Sequence, residues 1–268
     1  MSTSTASVLT DGKVLVTGGT TNGISLKSTE LYDPITGTWS IVGNMNKERI
    51  RHAAVMLLNG KVLVTGGSGE RDSERTAELF DPLTGNWTFT GDMHFERVSH
   101  TASTLLNGKV LVTGGAFGDD RATTELYDPV TGNWTKSGNM IYRQEWDTAS
   151  VLGNGTVLVT GGPGVNIAEL YNVAMGNWTQ TGRTNTSRWF HTASVLLNGK
   201  VLVAGGSYGV YNRSTELYDP STGHWTNSGN MKHGRKDHTA SVLTNGKVLV
   251  TGGYYNDTYV NDAELYVS

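Results

Sequence analysis

Apolar residues along the chain are grouped into short runs of strand length, and six of these runs end in a pair of glycines. The pairs stand at Gly18-Gly19, Gly66-Gly67, Gly114-Gly115, Gly161-Gly162, Gly205-Gly206 and Gly252-Gly253, so the unit recurs after 48, 48, 47, 44 and 47 residues. Each pair is followed by a polar stretch of variable sequence, then by Glu-Leu-aromatic, and in five copies by Gly-x-Trp. In the second copy this pattern predicts strands over residues 53–58, 61–65 and 77–80, with Trp87 in a fourth, outermost strand. Asn59-Gly60 turns the first strand into the second, because a two-residue hairpin needs positive φ at both positions. The same turn is written at Asn107-Gly108, Asn154-Gly155, Asn198-Gly199 and Asn245-Gly246, with Asp11-Gly12 as its equivalent. Asp81-Pro82-Leu83-Thr84-Gly85 reads as a type I turn closed by a glycine.

A unit of four short strands is one twisted sheet, which cannot cover its own faces and needs a neighbour on each side. Stacked radially, such sheets bury one another and leave only short, protected edges. The inner strand, Thr-Ala-Ser-Val in four of the six copies, is built of residues small enough to crowd around an axis. The glycine pair predicts a close backbone approach that a Cβ would block. Trp39, Trp87, Trp134, Trp178 and Trp225 fall where blades spread apart and a large filler is needed.

Gly-Gly, Glu-Leu-Tyr and Gly-x-Trp at this period resemble the kelch repeat, over essentially the whole chain. The resemblance implies an all-β, six-bladed kelch β-propeller with four antiparallel strands per blade and a central domain like that of galactose oxidase. It implies a single domain over residues 1–268, with blades near 4–45, 52–93, 100–140, 147–182, 191–231 and 238–268. Two copies depart from the pattern. In the fourth, Asn172-Val173-Ala174-Met175-Gly176 replaces Asp-Pro-x-Thr-Gly, and the loop after Gly162 shrinks to residues 163–166. The sixth runs out at Glu264-Leu265-Tyr266-Val267-Ser268 without a Trp strand, so either its blade has three strands or the chain is a fragment of a longer one.

Composition narrows the function only by exclusion. No apolar run approaches 18 residues, so no membrane-spanning helix is expected. A net charge of −3 argues against a nucleic-acid binder that works by neutralising phosphates. With no cysteine the chain forms no disulfide, and thiol usage does not reveal the compartment. Met1 leads into the first repeat without a signal peptide, and seven Asn-x-Ser/Thr sequons, three of them the repeat's own Asn-Trp-Thr, leave localisation open with a lean to the extracellular side.

The turns of such a propeller alternate between two faces. The Asn-Gly and Asp-Pro-x-Thr-Gly turns share one and barely vary between copies. The loops after each glycine pair share the other with the segments leading into each inner strand, and variable loops on a rigid repeat scaffold are where recognition sits. Those leading segments carry Arg-x-x-His in four of five cases and are rich in aromatics, the composition of binding hot spots. The candidate contact residues are Arg49, Arg51, Phe95, Arg97, Tyr142, Arg143, Trp146, Asp147, Arg188, Trp189, Phe190, Tyr208, Arg235 and Asp237. For Arg49, Arg97, Arg188 and Arg235 a second reading is open, pairing with repeat glutamates such as Glu78, Glu125, Glu216 and Glu264. His52, His100, His191 and His238 read as hydrogen-bonded structural residues. Arg51, Tyr142, Trp146, Asp147, Trp189, Phe190 and Asp237 follow no repeat-wide rule and are the stronger site candidates.

A copper radical oxidase of the galactose oxidase type would need a tyrosyl–cysteine cofactor, which a chain without cysteine cannot form. Glu48-x-x-x-His52 and Glu96-x-x-x-His100 are products of the repeat rather than a chelate, and the glycine pairs open no helix that would cradle a phosphate. No cofactor, metal or catalytic residue is expected. The sequence reads as a monomeric, non-catalytic module presenting loops to a peptide, protein or glycan, which the family resemblance places over the central opening. The alternative is a fragment of a carbohydrate- or small-molecule-active kelch enzyme.

Overall fold

The computed structural model describes residues 4–115, 121–162, 164, 166–208, 210–256 and 258–267; Pro163 and Val165 of the shortened loop lie outside them. Among these residues the fold is all-β, a six-bladed propeller arrangement of antiparallel sheets with no α-helix. By its contacts the chain divides into two compact units, Met1–Gly138 and Asn139–Ser268, with three blades in each.

In the first unit the blades are Thr5–Val8, Val14–Thr17, Thr29–Asp33 and Thr38–Ile41; then Ala53–Met56, Val62–Thr65, Ala77–Asp81 and Asn86–Phe89; then Thr101–Thr104, Val110–Thr113, Thr124–Asp128 and Asn133–Lys136. The second unit holds Thr148–Val151, Val157–Thr160, Ala168–Asn172 and Asn177–Gln180; then Thr192–Val195, Val201–Ala204, Ser214–Asp219 and His224–Asn230; then Thr239–Val242, Val248–Thr251 and Ala263–Tyr266. The sixth blade therefore has three strands among the described residues. Inner strands end two residues sooner than the apolar pattern suggests, because Leu57 already belongs to the turn. Its amide donates to the Lys61 carbonyl at 2.8 Å and its carbonyl accepts from Gly60 at 3.0 Å. The third strand is closed by Gly85 donating to the Asp81 carbonyl at 2.8 Å, while Asp81 Oδ1 accepts the Leu83 amide at 3.0 Å.

The strands Val62–Thr65, Val110–Thr113, Val157–Thr160 and Val201–Ala204 are buried at every position, whereas Val14–Thr17 and Val248–Thr251 alternate buried with half-buried residues. In the first unit, Leu9, Leu15 and Met45 of one blade meet Val62, Val64, Phe80 and Trp87 of the next. Leu57, Leu63, Ala77 and Met93 then meet Val110, Val112, Tyr127 and Trp134. In the second unit, Leu152, Leu158 and Ala168 meet Val201, Tyr218 and Trp225, and Leu202, Ala204 and Met231 meet Val248, Val250 and Tyr266. Trp87 and Trp134 are 8% and 6% exposed, as a filler should be. Trp39 of the first blade is 55% exposed. Each Trp stacks on the aromatic residue of the third strand, with Tyr127 and Trp134 centroids 5.0 Å apart.

The glycine pair has a specific tenant. A Cβ on Gly66, whose φ is +57°, would stand 2.5 Å from the Arg97 carbonyl oxygen and 2.8 Å from the His100 ring. The amide of Gly67 donates to that same carbonyl at 2.9 Å. The pair is bare so that the segment leading into the following blade can lie against it.

Candidate functional site

Each leading segment carries a side chain that organises the blade it enters. Arg49 is fully buried, and its guanidinium donates to the carbonyls of Gly66 (2.8 Å), Ser73 (2.8 Å) and Thr76 (3.1 Å) and to Glu78 Oε1 (2.9 Å). Glu78 in turn accepts the amides of Asn46 at 2.6 Å and Lys47 at 3.1 Å. Arg97 repeats this with Gly114, Thr123 and Glu125, and Arg188 with Gly205, Ser214 and Glu216. Arg235 reaches Gly252, Asp262 and Glu264. Burial pulls the guanidinium pKa values of Arg49 and Arg188 downward, and the Glu78 and Glu216 carboxylates oppose that shift. All four arginines have 0% exposure. They cannot reach a partner, and of the two readings open from sequence the structure selects the internal pairing.

The histidines fasten each leading segment to the preceding blade. His52 Nε2 lies 2.8 Å from the Thr5 hydroxyl, His100 2.8 Å from Thr65, His191 3.0 Å from Thr148 and His238 2.9 Å from Thr192. Burial, with the adjacent arginine charge second, lowers His52 and His191 to about 3 and His238 to about 4. They stay neutral at ordinary pH.

The fourth blade breaks this scheme. Gln144 takes the arginine position, and its amide donates to Glu169 Oε1 at 3.1 Å, while its own carbonyl oxygen has no partner among the described residues. Glu169 also accepts the amides of Ile141 and Tyr142, yet burial still raises its pKa. Asp147 takes the histidine position. It is 7% exposed, neither carboxylate oxygen has a hydrogen-bond partner among the described residues, and burial pushes it up to about 7. This candidate is thus a buried acid rather than an exposed contact.

The residue just before each of these positions adopts the left-handed conformation: Arg51 at φ 55°, Ser99 at 57°, Trp146 at 53°, Phe190 at 54° and Asp237 at 55°. Adjacent members are joined through the backbone, Ser99 donating to Arg51 and Asp237 to Phe190. The bend is common to all five, but the side chain is different every time. Trp and Phe are costly choices there, on the order of 1–3 kcal/mol each.

In the second unit these bends assemble an aromatic surface. Trp146 lies 5.0 Å from Phe190 and 5.4 Å edge-on from Trp189, and Trp189 lies 6.4 Å from Tyr208, which is 53% exposed. The loops after the glycine pairs form short hairpins, Ser207–Tyr208 with Val210–Tyr211 and Tyr254–Tyr255 with Thr258–Tyr259. Bridges from Trp189 to Ser207 and from Lys236 to Tyr254 hold these hairpins to the leading segments. Lys236 Nζ sits 5.6 Å from the Phe190 ring centre, 5.5 Å from Tyr211 and 5.7 Å from Tyr254, joining two aromatic groups into one array. Lys236 was not a sequence candidate; its position between Arg235 and the left-handed Asp237 was the available signal. Tyr142 is half-buried beside Glu169, and Arg143 is exposed. In the first unit Arg51 is exposed, and Phe95 lies under Lys136 Nζ at 4.7 Å.

A glycine pair filled by an Arg-x-x-His segment, a Tyr on a Trp and a period near 47 residues define the repeat. The Kelch motif model matches residues 1–46, 49–94 and 188–232, about half of the chain. The chain belongs to the kelch-repeat family. No curated protein matches it. The matched kelch segments include the Arg49–His52 and Arg188–His191 stretches. The divergent fourth blade, with Gln144 and Asp147, lies outside them. Among the described residues no group of three or more His, Asp or Glu side chains is arranged to hold a metal, and no helix is long and apolar enough to cross a membrane.

Proposed function

We propose that this kelch protein is a non-catalytic binding module that captures a polypeptide on the loop face of its second unit. The contact set is Trp146, Trp189, Phe190, Tyr208, Tyr211 and Tyr254, with Lys236 among them. The observation that carries the reading is Trp146 and Phe190 at left-handed positions, at φ 53° and 54°. Folding alone favours Gly, Asn or Asp there, so bulky aromatics point to a use other than stability. Aromatic rings and a cation held at fixed spacing are the chemistry of an interaction hot spot. Arg143 and Asp237 of the same unit belong to the proposed surface as secondary contacts.

The test uses peptide and glycan arrays probed with the wild-type chain and with a Tyr208→Ala, Lys236→Glu double variant. The expected result is a set of peptides retained by wild type and lost at least tenfold by the variant, with the melting midpoint moved by no more than a few degrees. Retention of glycans alone would change the ligand class. Equal retention by both proteins would remove the aromatic array from the function.

A further inference from the structure

In the second, third and fifth blades Arg49, Arg97 and Arg188 each form a buried hub with a repeat glutamate, Glu78, Glu125 and Glu216, so that every hub holds one negative and one positive group. The hub of the fourth blade is different. Glu169 is buried to the same degree, at 0% exposure, and has no ion pair among the described residues. Its donors are the neutral amides of Ile141, Tyr142 and Gln144, and no cation is among the groups that shift its pKa.

Covalent structure shows what the replacement of Arg by Gln removes. Arg49 Nε donates to Glu78 Oε1 at 3.3 Å, and Gln144 Nε2, likewise attached to Cδ, donates to Glu169 Oε1 at 3.1 Å. The glutamine therefore ends where an arginine has Nε, and Cζ, Nη1 and Nη2 have no counterpart. Those atoms have a fixed duty in the other hubs. Nη1 donates to the carbonyls of Gly66 and Thr76 in the second blade, of Gly114 and Thr123 in the third and of Gly205 and Ser214 in the fifth, at 2.8–3.1 Å. The corresponding carbonyls of the fourth blade belong to Gly161 and Ile167, and neither accepts a hydrogen bond among the described residues. Gln144 Oε1, the other prong of the amide, is a third oxygen without a donor, on a side chain with 0% exposure.

The backbone has shifted around the substitution. The first glycine of the pair has φ 57–68° in the blades with an arginine and 96° at Gly161. The amide of Gly66 reaches the Thr76 carbonyl at 3.0 Å, whereas that of Gly161 makes no such bond to Ile167. One buried carboxylate and three neutral oxygens gathered in one hub are the ligands of a hard cation, as rings of backbone carbonyls are for K⁺. A water molecule in their midst would satisfy hydrogen bonds but leave the buried charge uncompensated.

We propose that the hub of the fourth blade binds a monovalent metal cation, Na⁺ or K⁺, on Glu169, Gln144 Oε1 and the carbonyls of Gly161 and Ile167, in place of the guanidinium that the other hubs carry covalently. The valence follows from the charge: a single carboxylate is balanced by a single positive charge, as in the arginine hubs. The site shares no residue with the aromatic array, and neither proposal depends on the other.

The test is thermal unfolding of the full chain in NaCl, KCl, CaCl2 or choline chloride at one ionic strength of about 0.15 M, choline being too large for the hub. The melting midpoint is expected to be higher by about 3 °C or more in NaCl or KCl than in choline chloride, and to saturate with the concentration of the ion that fits. Gln144→Arg supplies the guanidinium from the chain itself and should melt alike in all four salts. Glu169→Gln removes the charge at nearly constant shape and should lose the dependence as well. The Tyr208→Ala, Lys236→Glu variant should keep it. Equal midpoints for wild type in choline and both alkali chlorides overturn the proposal. So does an ion dependence that survives in Gln144→Arg or in Glu169→Gln, which would place the ion elsewhere, and stabilisation by CaCl2 alone overturns the monovalent assignment.

Discussion

The segments entering the second and fourth blades do the same backbone work with opposite chemistry. In the first, a buried Arg49–Glu78 pair and a neutral His52 connect neighbouring strands. In the second, Gln144 meets Glu169 without a compensating positive charge, and Asp147 is buried without a hydrogen-bond partner among the described residues. The repeat therefore tolerates loss of its charge pair provided a donor still faces the glutamate. What changes is the direction in which pH acts.

The largest contrast lies in acid. An unfolded imidazole takes up a proton near 6.5, whereas His52 and His191 resist until about 3 and His238 until about 4. Their stabilising contribution is complete above 6.5 and is lost as pH falls towards those values, at up to about 1.4 kcal/mol per pH unit for each. Urea titrations from pH 7.5 to 4 should show unfolding free energy dropping by several kcal/mol before pH 5. A flat profile to that point would show that the histidines titrate freely.

Arg49→Ala strands the buried Glu78 carboxylate and should cost about 3–5 kcal/mol. Gln144→Ala, which removes a neutral donor, should cost about 1–2 kcal/mol. Denaturant midpoints of the two variants compare them directly, and equal losses would mean that the charge of the pair contributes nothing. Asp147→Asn should act in the opposite sense to the histidines. The Asp147 carboxyl is held up to about 7, so its contribution is favourable below the unfolded value near 4 and is lost as pH rises through 7. The amide variant should be about 2–4 kcal/mol more stable than wild type at pH 8, with the difference vanishing by pH 4. The smallest effect concerns the left-handed bends. Ser99→Gly should stabilise the chain by up to about 1 kcal/mol by relieving φ 57°. Phe190→Gly should gain by the same relief, and a net loss would assign its ring to packing on Trp146 and Trp189 rather than to a partner.

The repeat was readable in the sequence because glycine pairs, Asn-Gly turns and Glu-Leu-aromatic runs are each dictated by backbone geometry and recur unchanged. The fate of the arginines was not, since Arg-x-x-His is equally consistent with a buried hub and an exposed hot spot. Only the Gly66, Ser73 and Thr76 carbonyls converging on Arg49 decide between them. Exposure of Trp39 escaped too, because its sequence context matches that of Trp87. Trp146, Trp189 and Phe190 stood out as irregular residues, but their convergence with Lys236 depends on hairpins whose loops have no repeated pattern.

The bare glycine pair also sets an order of events during synthesis. Gly18 and Gly19 of the first blade lie against Arg49 and His52, roughly thirty residues downstream, and Gly66 and Gly67 wait in the same way for Arg97 and His100. A blade emerging from the ribosome can form its hairpins but cannot seal its inner end until the start of the next has followed it out. Within each unit a sheet is thus latched by its successor, and maturation of the nascent chain there should advance stepwise, one blade behind the point of elongation.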